Sequence, residues 1–114
     1  MGQVERVRLV ALVGSVVGGR RTTHTSGYPL DVRKMLPMAD VVLLEAGEGP
    51  GVMLYRYTAQ GELAGDTWHE SVTDAREQAL FEYRDSLGRW EPVPAEVTNA
   101  HEYAIRYATA HREA

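Results

Sequence analysis

Cysteine is absent from this chain of 114 residues, which excludes disulfides, thiolate catalysis and Cys-ligated zinc. A chain without disulfides suits a reducing compartment, so a cytoplasmic location is the expectation. Long apolar runs are also missing, and none approaches the roughly 18 residues that cross a bilayer. The longest, 9–17, is broken by Gly14 and Ser15 and lacks an Ala-x-Ala processing site. Neither a membrane span nor a signal peptide is therefore expected. Lysine is nearly absent, with Lys34 alone against eleven arginines. That bias is what a GC-rich coding genome produces, and it points to a bacterial source. Phenylalanine occurs once, as Phe81, so its placement carries unusual weight.

What remains is ordinary for a folded protein, 44% apolar and 25% charged, and the length suits a single domain over 1–114. Charge is divided unevenly. Residues 1–36 hold six basic and two acidic groups, while the rest carry fourteen acidic and six basic, for a net −4. The first third could attract an anion locally, but the whole chain would repel nucleic acid at long range, and no DNA partner is expected.

Hydrophobic period and turn chemistry organise the chain. Val4 to Val13 alternates as a strand, with Val7, Leu9, Ala11 and Val13 on one face. Its other face starts at Arg6 and Arg8 and turns apolar at Val10 and Leu12. A polar loop follows over 18–29, then a short strand or turn over 30–35 that Pro37 stops. Asp40 to Glu45 reads as a strand buried on both faces, because Val41, Val42, Leu43 and Leu44 run together. Val52 to Thr58 pairs back through a Gln60-Gly61 turn. That turn sets Tyr55 opposite Asp66 and Met53 opposite Trp68. Met53, Tyr55, Tyr57, Ala64 and Trp68 then share one face, with Leu54, Arg56, Thr67 and His69 on the other.

Ser71 and Asp74 form a capping pattern for a helix over 71–88. Its apolar stripe would be Val72, Ala75, Ala79, Leu80, Tyr83 and Leu87, which leaves Phe81 on the polar side. Gly88 ends the helix and Pro92 and Pro94 mark an extended linker over 89–98. Asn99 and Glu102 cap a final helix over 99–112. Its stripe of Ala100, Tyr103, Ala104, Tyr107, Ala108 and His111 would cover Phe81 and Trp90 or mediate dimerisation. The fold class expected is α+β: an antiparallel sheet or partly closed barrel of four or five strands, packed by two C-terminal helices, with 1–69 mainly β.

The chemistry-bearing motifs do not survive inspection. Gly14 to Arg20 has the glycine spacing of a phosphate loop, but Arg20 and Arg21 stand where Lys and Ser/Thr are needed. Gly27 and Pro29 also deny it the following helix. Gly47 to Gly51 joins two strands, so it is no dinucleotide loop. His101-Glu102 lacks the second histidine of a zinc motif, since Ile105 occupies that place. Asp66 and His69 point to opposite faces of one strand, which argues against a shared metal. No metal, no cofactor and no catalytic residue is assigned, and an enzyme is the less favoured class.

The loop GGRRTTHTSGY resembles one in the C-terminal β-barrel domain of elongation factor Tu. Gly18, Gly19, Arg20, Thr22, Gly27 and Tyr28 match that loop at the same spacing. LLEAGEGPGV is similar to the same family's strand and Pro-Gly turn, so the resemblance covers about 4–55. The family's Arg-Pro after the tyrosine is missing, one strand is lost, and no GTPase domain is present. The resemblance implies a binding surface near Arg20 that could hold tRNA, and no catalysis. Residues 54–87 also resemble a hairpin-helix unit of small uncharacterised bacterial proteins, which implies fold alone.

The leading expectation is a small non-catalytic accessory protein that recognises a macromolecule, with a protein partner or a homodimer first. The runner-up is an RNA- or tRNA-binding barrel module using Arg20, Arg21, His24 and Tyr28. A third reading is a small enzyme whose site is assembled by the fold, with a pocket containing two or more of His24, His69, Asp66 and Glu70. Candidate binding residues on the hairpin and helix are Arg56, Trp68, His69 and Phe81, since aromatics and arginine dominate interface energetics.

Overall fold

A computed structural model describes residues 7–14, 37–47 and 49–112. Five strands form one open antiparallel sheet: β1 Arg8–Leu12, β2 Val41–Glu45, β3 Val52–Tyr57, β4 Leu63–His69 and β5 Glu91–Pro92, in the order β4-β3-β2-β1-β5. Helix α1 (Val72–Tyr83) covers one face and α2 (Ala100–Arg112) the other. The fold is α+β as the sequence predicts, in the open-sheet form and not closed into a barrel. Among the described residues, no helix is long and apolar enough to cross a membrane.

β2 lies at the centre, which explains its unbroken Val-Val-Leu-Leu. Val42 and Leu44 join the core under α1, Val41 and Leu43 the core under α2, and none of the four is exposed. β1 divides likewise, with Ala11 and Val13 on the α1 side and Val10 on the α2 side. Arg8, at the polar end of β1, reaches back to the linker, donating from Nη1 to the Val97 carbonyl (2.7 Å) and from Nη2 to the Pro94 carbonyl (3.0 Å). The linker also supplies β5, which pairs with β1 at Leu9 and Val10.

The β3–β4 hairpin differs from the expected turn in one respect with large consequences. Its loop holds three residues, closed by Thr58 N donating to Glu62 O (2.9 Å), with Gly61 at φ +97°. That shifts the register by one, so Tyr57 pairs with Leu63. A bulge at Ala64–Gly65, with Gly65 at φ +115°, restores it, and Tyr55 faces Asp66 and Met53 faces Trp68 as the sequence predicts. The extra residue turns Ala64 to the opposite face, where it joins the core under α1. A bulge inserts one unpaired residue and thereby reverses local side-chain parity.

Both helix caps form as expected. Ser71 Oγ accepts from Asp74 N (3.1 Å), and Asn99 Oδ1 accepts from Glu102 N (3.1 Å). α1 is shorter than its expected span, because a 3-10 turn takes over at Arg84–Ser86. α2 lies on the sheet face remote from α1, packed on β2 and β1, so it does not cover Phe81. Its contact stripe is Ala100, Ala104 and Ala108, all at or below 2% exposure, while His111 is exposed.

Candidate functional site

Three places gather chemistry-bearing side chains: a buried ionic network under α1, an aromatic chain under α2, and the outward face of α1.

The first bears on two candidate binding residues of the hairpin. Arg56 and His69, with Thr67, lie on the sheet face that α1 covers. Arg56 has no solvent exposure and no partner molecule can reach it. Its guanidinium forks onto Glu82, with Nε to Oε1 at 2.8 Å and Nη2 to Oε2 at 2.7 Å. Nη1 donates to Leu54 O (3.2 Å) and Nη2 also to Thr67 Oγ1 (3.1 Å), while Gln78 Nε2 donates to Glu82 Oε2 (2.7 Å). A buried ion pair of this kind holds only when its remaining donors and lone pairs are satisfied, as they are here. Thr67 Oγ1 accepts from Arg56 and lies 2.7 Å from His69 Nε2; with the imidazole proton on Nδ1, the Thr67 hydroxyl donates to Nε2. That geometry wants a neutral imidazole. Burial first, and then the Arg56 charge, hold the His69 pKa below its ordinary 6.5. Tyr83, at the same buried face of α1, has its phenol pushed well above the usual range by burial and by Glu82.

The second place is one that the sequence does not mark. Tyr57 Oη lies 2.7 Å from His101 Nδ1, and His101 Nε2 lies 3.2 Å from Glu45 Oε1. Tyr55 sets its ring edge-on to the same imidazole, 4.5 Å between centroids. With the Nε2 proton turned to the carboxylate, Nδ1 accepts from the Tyr57 hydroxyl; this assignment follows from the contacts. Burial, with Tyr55, Asp66 and Glu45 behind it, raises the Tyr57 pKa, so the phenol keeps its proton. The chain locks β2, β3 and the first turn of α2 together. Trp68 shares this sheet face, is 56% exposed, and rests against Gly51, where a Cβ would clash with its indole ring.

The third place is the outward face of α1. The expected stripe holds except at Leu80, since Val72 and Leu87 pack against the core that Ala75, Ala79 and Tyr83 join. Ala75, Ala79, Glu82 and Tyr83 are the buried residues of α1, and Leu80 points outward. Glu82 takes the flank of the stripe that meets buried Arg56, and Leu80, on the opposite flank, faces solvent. Leu80 and Phe81 are 56% and 53% exposed, side by side. Leu80, Leu87 and Trp90 border a groove of about 430 Å³ completed by Thr73, Arg76, Glu77 and Gly88. Arg76 lies over the Trp90 ring (6.0 Å) and Arg84 over Phe81 (5.5 Å). Cations stacked on aromatic faces stiffen an otherwise exposed apolar surface.

The expected binding residues therefore scatter. Phe81 lies on the α1 face and Trp68 on the opposite side of the sheet, so they form no joint surface. Arg56 and His69 belong to the network under α1. Arg20, Arg21, His24 and Tyr28 lie outside the described residues, as does the loop that carries the elongation-factor resemblance. Leu80 escapes the sequence reading as a site residue, since its helical spacing places it in the core stripe. The signal for Leu80 was Glu82, whose place on the helix competes with it for the inward side. No family model, curated protein or solved structure matches the chain.

Proposed function

We propose that this chain is a non-catalytic protein-binding module that holds its partner on the outward face of α1. The observation that carries the reading is the adjacent exposure of Leu80 and Phe81, at 56% and 53%, beside an apolar groove bordered by Leu87 and Trp90. Large apolar side chains that a fold leaves together in solvent are the usual mark of an interaction surface. The polar residues around them are mixed in sign (Arg76, Glu77, Arg84, Asp85), which suits a protein surface better than a polyanion. Against an enzyme, the groove is lined by none of His69, Asp66 and Glu70.

A photo-crosslinking residue at position 81, expressed in the source cells, tests the reading. A discrete adduct is expected, absent from a control with the crosslinker at exposed Glu96 and abolished by Leu80→Asp. Irradiation that yields no adduct from position 81 would sink it.

A further inference from the structure

We infer that the partner seated on the α1 face is a second copy of this chain, docked antiparallel about a two-fold axis between Leu80 and Phe81. The inference rests on the protein-binding reading of that face and specifies its occupant.

The argument is one of charge self-complementarity. A two-fold interface brings the same patch of both copies together, so residue i meets residue j and j meets i. For two antiparallel helices, positions placed symmetrically about the axis face one another. Glu77 and Arg84 are both exposed, and they lie equally far on either side of the Leu80–Phe81 pair. Arg84 leaves the helix at φ +47°, and its guanidinium lies over the ring of Phe81, the residue one turn on from Glu77, so both charges border the same outward face. Two-fold docking therefore sets Glu77 of each copy against Arg84 of the other, giving two ion pairs of opposite sign. Among the described residues, neither Glu77 nor Arg84 has an ion-pair partner within its own chain.

The apolar residues fit the same operator. Leu80 and Phe81 sit at the axis, one to each side of the line joining Glu77 and Arg84, so each meets its own copy. Leu80 also borders the groove, and the second copy's Leu80 covers that rim together with Leu87 and Trp90. Arg84, the first residue past α1, lies over the Phe81 ring, which holds its guanidinium beside the axis. A parallel arrangement would set Glu77 against Glu77 and Arg84 against Arg84, which like-charge repulsion disfavours.

Sedimentation velocity on the full chain across a concentration series tests this, with four variants whose changes all lie on exposed residues. The parent should dimerise, and Leu80→Asp should abolish the dimer. Glu77→Arg and Arg84→Glu alone should each weaken it roughly tenfold or more, since each creates two like-charge contacts. The double exchange Glu77→Arg/Arg84→Glu should recover most of the parent affinity, because it restores both pairs with their signs reversed. A parent that stays monomeric at millimolar concentration overturns the inference. So does a dimer indifferent to the charge variants, or one that the double exchange fails to rescue. A monomer whose position-81 crosslinker still captures another protein would leave the protein-binding reading standing while this one falls. A monomer with no adduct at all removes both.

Discussion

The two helices close the two faces of one sheet by opposite means. α2 lays alanines on the strands, with Ala100, Ala104 and Ala108 all buried, and ties its first turn to the sheet through His101. α1 buries two alanines as well, but beside them stand Glu82 and Tyr83, while Leu80 and Phe81 are left in solvent. Tyr103 and Tyr107 of α2 pack, half-buried, against the core that Ala100, Ala104 and Ala108 join. α1 buries charge and exposes hydrocarbon. The difference teaches that a buried arginine can claim one flank of a helix for its counter-ion while the bulky apolar residues of the other flank stay in solvent.

The sharpest way to break the comparison is to remove the ion pair. Glu82→Ala leaves Arg56 buried beside an empty anion position and should destabilise the chain by about 3–5 kcal/mol, read as a fall in the urea midpoint. Replacing both partners, as Arg56→Met/Glu82→Met, should recover much of that loss, because neither desolvated charge remains. If the double variant is no better than the single, the loss does not come from an unpaired buried charge. On the other face the corresponding test is crowding. Ala104 has no exposure, so Ala104→Leu should force α2 off the strands at a cost of about 1–3 kcal/mol. A variant that melts like the parent would mean that α2 does not depend on close approach.

These two sites also show how far the sequence could be read. The doubly buried β2 and the caps at Ser71 and Asn99 were legible, because each is written within a few adjacent residues; the Tyr55–Asp66 register agrees only because the bulge offsets the longer loop. The inward place of Glu82 was not, since Arg56 and Glu82 are 26 residues apart and a hydrophobic stripe counts glutamate as outward by default. The hairpin faces misled for a related reason. Once Arg56 is taken as polar, it reads as a candidate binding residue, and the bulge that moves Ala64 leaves only a glycine as its trace. The Tyr57–His101–Glu45 chain joins three elements, and no local spacing announces it.

Smaller effects refine the contrast. Tyr57→Phe removes the hydroxyl that meets His101 Nδ1 and should cost about 1 kcal/mol, with the loss read in the urea midpoint. An unchanged midpoint would show that the α2 face is held by packing alone. The α1 face should differ in its response to acid. The His69 pKa lies below its ordinary 6.5, chiefly through burial. The unfolded chain thus takes up this proton at a higher pH than the folded one. The contribution is complete above about pH 6.5 and is lost as pH falls through the folded value. His69→Gln should flatten this part of the stability–pH curve relative to the parent; two curves of equal slope would count against the Thr67–His69 geometry.

The smallest expected effect discriminates most. Leu80 is a leucine in a helix, four residues from Arg76 and two from Glu82, and a stripe-based reading puts it in the core. Were that so, Leu80→Gln would cost about 2–5 kcal/mol, as core truncations do. Exposed at 56%, it should instead change stability by less than about 0.5 kcal/mol. The measurement must be made on dilute monomer, since any association through this face would add its own stabilisation to the parent and disguise a surface residue as a core one. A parent advantage that grows with protein concentration would place Leu80 in an interface. An advantage independent of concentration would place it back under the helix, with the core residues of the stripe.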